Sequence, residues 1–187
     1  MKPTTDHGPR TTGERRHEAG FTLLELLVVL AIVALLASMA MAGYRQARMR
    51  SAESSAVTTL NALNRGQFLF MQSCGRQRYA PTLVALATPA PGDEHGFVSP
   101  DLAATEPLVK SGYFFELTGT PSTEGEQTCT GAVPLDRYRI TADPMNFGVS
   151  GSRYYGTNTD RVIYEDRETF RENMPENGAP GHGAEIK

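Results

Sequence analysis

Cysteine and histidine are scarce in this chain, basic charge is not in excess, and helix breakers are missing from its longest apolar run. The two cysteines, Cys74 and Cys129, stand far apart and form no CxxC pair. The four histidines are His7, His17, His95 and His182, and none is close to either cysteine in sequence. That leaves no ligand spacing for a zinc site. The formal net charge is −3 over 187 residues and no dense basic run occurs, so no nucleic-acid partner is expected. No Ser/His/Asp set suggests itself without arbitrary choice. No catalytic residue, metal site or cofactor is therefore assigned, and the chain reads as a non-enzyme.

What is present is concentrated. The mean hydropathy of −0.34 is that of a soluble protein, yet much of the apolar content lies in one block from Phe21 to Ala42. Residues 1–20 are polar, with Lys2, Arg10, Arg15 and Arg16 against Asp6, Glu14 and Glu18, and Pro3, Gly8, Pro9 and Gly13 discourage a helix there. From Leu23 to Ala42 the chain reads LLELLVVLAIVALLASMAMA, with Glu25 and Ser38 the polar interruptions and no Pro or Gly. At ~1.5 Å per residue, about 20 such residues cross a ~30 Å hydrocarbon layer. The segment is expected to be a membrane helix.

Three readings fit that helix. It is a plain signal anchor, a secretory signal peptide cut after Ala40-Met41-Ala42, or a segment in which Glu25 has a purpose. A carboxylate inside a bilayer costs about 2.5–3.5 kcal/mol on insertion scales, so it normally has one. The string Gly20-Phe21-Thr22-Leu23-Leu24-Glu25-Leu26, preceded by Arg15-Arg16-His17-Glu18-Ala19, resembles the processing site of type IV prepilins and type II secretion pseudopilins.

The resemblance implies that a prepilin peptidase cuts after Gly20 and methylates the new N-terminal residue, Phe21. Glu25 then becomes an assembly charge, pairing with the α-amino group of a neighbouring subunit so that two costly charges become one pair. It implies as partners identical or related pilin subunits, the inner-membrane assembly machinery and membrane lipid. It also implies a single-pass inner-membrane location with the head in the periplasm or outside the cell, and a structural role in a pilus or pseudopilus. Arg45, Arg48 and Arg50 follow the helix, so basic residues flank both ends and charge bias does not set the orientation. Many pilins carry a Gly and a Pro in the second half of this segment. Neither occurs here, which predicts a more continuous helix.

Past the membrane the helical pattern continues. Ala52, Ala56, Leu60, Leu63 and Phe70 recur near the 3.6-residue period, Gly66 is a mild weak point, and Cys74-Gly75 closes the helix with Gly75 in a left-handed cap. Exported cysteines most simply form one Cys74–Cys129 disulfide; the alternative is two separate buried thiols. A loop of that size contributes about 4 kcal/mol by chain entropy.

Residues 80–112 read as a Pro/Gly-rich loop with short helical turns around Pro81–Ala87 and Pro100–Ala104. Strands are expected at Tyr113–Thr118, Leu135–Ala142, Arg153–Tyr155 and Arg161–Glu165, the last pair flanking a turn at Gly156–Asp160. The fold class is α+β and pilin-like: a long N-terminal helix, membrane-spanning in its first half, packed on a small antiparallel sheet of three or four strands. The chain is divided as leader 1–20, filament-core helix 21–43, amphipathic continuation 44–74, β-rich head 75–166 and flexible tail 167–187.

Ala52–Leu69, Lys110–Phe115 and Tyr138–Pro144 also resemble the globular part of small bacterial pilin-like proteins. Some pseudopilins bind calcium through loops. Asp143, Asp160 and Asp166 lie in or beside predicted loops, but their spacing is not that of an EF-hand, and they read as solvated turn carboxylates. Tyr113, Tyr138, Tyr154, Tyr155 and Tyr164 read as strand packing.

Overall fold

The computed structural model describes residues 21–186. Helix α1 spans Leu23–Ser73 without a break. The chain divides into two compact units, one ending at Met41 and one beginning at Ala42. In the first, the aliphatic side chains from Leu23 to Met39 are exposed all around the helix, the pattern of a surface meant for a non-aqueous neighbour. It is the one helix among the described residues long and apolar enough to cross a membrane.

The second unit is built on the rest of α1. Ala56, Leu60, Leu63 and Phe70 form its buried stripe, as the periodicity predicts. Three polar residues share that stripe: Thr59, Asn64 and Gln67. Gln67 is satisfied by the backbone of Ala80, whose N–H it accepts at 2.8 Å and whose carbonyl it bonds at 3.1 Å. The Asn64 amide donates to Thr157 Oγ1 at 2.9 Å, and its oxygen accepts from the Tyr138 hydroxyl at 3.0 Å. Unpaired, each of these groups would cost about 1–3 kcal/mol.

Gly66 is not a weak point. A side chain there would strike Val98, so the missing Cβ is what lets the Phe97–Val98 loop lie against the helix. At the helix end the left-handed residues are Arg76 (φ 51°) and Gln77 (φ 69°), not Gly75. Gly75 is needed because a Cβ would overlap the Arg78 carbonyl. The Gly75 N–H reaches back to the Phe70 carbonyl at 2.7 Å, closing the last turn widely.

After α1 come helix α2 (Leu83–Ala87) and a 3-10 turn at Pro100–Leu102, close to the two predicted turns. Thr82 caps α2 by accepting from the Ala85 N–H. The sheet then runs β1 (Leu108–Lys110), β2 (Tyr113–Pro121), β3 (Leu135–Pro144), β4 (Tyr154–Asn158), β5 (Ile163–Asp166) and β6 (Ala184–Glu185), all antiparallel and in chain order. Register aligns Phe115 with Ala142 and Ala142 with Tyr155; one pair further along, Leu117, Ile140, Thr157 and Ile163 form a second row. These rows face the helix stripe and make one core with it.

The sheet thus has six strands rather than three or four. The two extra ones are three and two residues long, too short for alternation to show in sequence. The expected turn at Gly156–Asp160 also shifts: Gly156, Thr157 and Asn158 complete β4, and the chain reverses through Thr159–Val162, with Arg161 left-handed at φ 64°. Asn158 still starts that reversal, its side chain accepting from the Asp160 N–H.

Residues 167–186 are not a loose tail. Phe170 and Met174 are fully buried on the outer face of the sheet, against Gly156, where a Cβ would meet both. The Asn158 amide donates to the Pro175 and Gly178 carbonyls at 3.0 and 2.8 Å, Arg139 donates to the Met174 carbonyl at 2.9 Å, and β6 pairs with β5. Glycines and prolines here shape a strap rather than signal mobility.

Candidate processing and assembly segment

Phe21 begins the described chain and is largely exposed. Gly20, expected to precede the cleaved bond, lies with residues 1–19 outside the described residues. Thr22 starts the helix: its hydroxyl accepts from the Glu25 N–H at 3.2 Å, and its carbonyl accepts from the Leu26 N–H at 3.2 Å. Thr22-Leu23-Leu24-Glu25 is therefore a capping pattern, a hydroxyl residue followed three positions on by a carboxylate in the first turn. The three-residue spacing of Thr22 and Glu25 is the sequence signal for that role. Glu25 also places negative charge at the positive end of the helix dipole. Among the described residues no basic group pairs with it.

In the head the titratable groups are separately engaged. Asp143 accepts from Thr169 at 3.0 Å, and its burial pushes its pKa up. Asp160 accepts from the Gly178 N–H at 2.6 Å. Asp166 lies 2.7 Å from His182 Nδ1, which holds its carboxyl below the usual range, and the His182 ring stacks on Phe170. Among the described residues no three Asp, Glu, His or Cys converge as metal ligands. Tyr113, Tyr138 and Tyr155 are buried in the core, Tyr113 donating to the Arg153 carbonyl at 2.9 Å. Tyr154 and Tyr164 are partly exposed.

Cys74 and Cys129 are disulfide-bonded, with Cα atoms 4.8 Å apart. The bond is doubled by the Cys129 N–H donating to the Cys74 carbonyl at 2.9 Å. Beside it Arg78 gathers Glu124, Glu126 and Asp136, so the same loop is held by covalent and ionic links.

Residues 15–41 match the family model of the prokaryotic N-terminal methylation motif, which is characteristic of type IV pilins and pseudopilins. No curated protein and no solved structure matches the chain. The motif covers the expected junction and most of the exposed apolar helix.

Proposed function

We propose that the chain is a structural subunit of a type IV pilus or a type II secretion pseudopilus. It is inserted as a single-pass inner-membrane protein with its head in the periplasm. Prepilin peptidase cuts after Gly20 and the new amino terminus at Phe21 is methylated. The assembly machinery then draws the subunit into a filament, apolar helices inside and heads outside. The observation that carries this reading is the methylation motif over residues 15–41, set directly on the uninterrupted apolar helix. An apolar surface exposed all around a helix is costly in water, at about 25 cal/mol per Å², and is relieved only by lipid or by like helices.

Glu25 supplies register. Its carboxylate neutralises the methylated amino group of a neighbouring Phe21 once both are buried in the filament, and misaligned subunits leave both charges unpaired. The test is intact mass and N-terminal sequencing of the mature protein from its native membrane. N-methyl-Phe21 is expected. A mature chain beginning at Gly43 would instead make Phe21–Ala42 part of a discarded signal peptide and the head a secreted soluble domain.

A further inference from the structure

We propose that the head has its own membrane contact: the loop Met145–Ser150, together with Arg45, Arg48 and Arg50, seats on the anionic headgroup layer while the subunit waits in the bilayer. The inference rests on the apolar segment being a membrane anchor. Arg48, Ser51 and Ser55 of α1 form one side of a 610 Å³ groove, and Met145 and Val149 form the other. From Gly43 to Arg48 the helix rises ~8 Å, about the depth of a headgroup layer. The loop lies against the helix between Arg48 and Ser55, ~8–18 Å along it from Gly43.

The loop's chemistry suits that place. Met145, Phe147 and Val149 are 44%, 53% and 72% exposed, three large apolar residues within five positions. Most of its backbone N–H groups are hydrogen-bonded. Asn146 O accepts from the N–H of Val149 at 3.0 Å and of Ser150 at 2.9 Å, Gly148 N–H donates to Gly151 O at 2.7 Å, and the Asn146 N–H is taken by Ser150 Oγ at 3.0 Å. A loop whose N–H groups are mostly paired loses less on meeting an interface than an open one. The charges are complementary as well. No acidic residue occurs between Glu25 and Glu53, and among the described residues none of the three arginines is ion-paired. Tyr44, exposed beside them, is of the type enriched at such boundaries.

The chain has no tryptophan, so single-tryptophan variants of the full chain report depth directly. Phe147→Trp and, separately, Val149→Trp are reconstituted in vesicles of equal parts phosphatidylcholine and phosphatidylglycerol. Their emission should shift to the blue and be quenched by lipids brominated near the headgroup. Both effects should weaken in phosphatidylcholine alone and when Arg45, Arg48 and Arg50 are all changed to Gln. Leu36→Trp, in the apolar segment, should be quenched by lipids brominated at mid-chain. If Leu36→Trp is quenched while both loop variants keep solvent-like emission, the loop contact is wrong and the anchor stands. If Leu36→Trp is not quenched, the anchor itself fails and the loop contact with it. A blue shift that disappears as lipid dilutes the protein identifies a second copy as the occupant and overturns the lipid assignment.

Discussion

Glu25 is the residue on which the proposed assembly turns, because it is ionisable in a run of exposed aliphatic side chains. Glu25→Ala keeps the Thr22 cap, which uses the backbone N–H of residue 25, and so should insert and fold normally. Sheared filaments should nevertheless lack it while the membrane fraction retains it. Immunoblotting both fractions decides this, and wild-type levels of the variant in filaments would refute the charge-pair account. In the head, the buried phenols give a pH signature. Burial raises the pKa of Tyr113, Tyr138 and Tyr155. A phenol raised by folding adds stability that is complete below its unfolded value, ~10, and is lost as pH climbs toward the folded value. The head should therefore unfold in alkali, with these three tyrosines ionising as the circular dichroism collapses. Phenolate absorbance that reaches completion near pH ~10 in a still-folded protein would contradict their burial.

At the scale of elements, Gly66 sets two effects against each other. Helix propensity alone makes Gly66→Ala favourable by about 1 kcal/mol. Overpacking against Val98 and the Phe97 carbonyl costs about 1–3 kcal/mol in a packed core. Valine has little freedom to move aside, so packing should win and the variant should melt lower than wild type. A raised melting temperature would show that the loop yields. The disulfide ties another pair of elements, the end of α1 and the loop before β3, across a sequence separation of 55. The chain-entropy stabilisation of a loop that long is about 4 kcal/mol.

On the scale of the whole molecule, the sheet is covered on both faces: by α1 on one, and by the C-terminal strap through Phe170 and Met174 on the other. Phe170→Ala should cost about 3–5 kcal/mol, the usual range for a buried phenylalanine. It should also open residues 167–186 to proteolysis. Denaturant melts and limited digestion together check this, and an unchanged midpoint with a protease-resistant strap would return the segment to the status of a tail.

The N-terminal segment was legible from one dimension because its signals are local. An apolar run, a junction of small and aromatic residues, and one carboxylate need no fold to be recognised, and the amphipathic stripe from Ala56 to Phe70 follows from period alone. β3 was legible from its alternation, and β2 from an aromatic-rich run bounded by Gly112 and Gly119. What only the tertiary structure decided was non-local. β1 and β6 exist because longer neighbours offer them free edges, not because three or two residues prefer extension. Gly66 is set by what approaches it from elsewhere in the chain, the Phe97–Val98 loop. The glycines and prolines after Phe170 carry equal weight in a loose tail and in a strap. The difference lies in Gly156, a residue without a side chain on a distant strand, which leaves the space that Phe170 and Met174 fill.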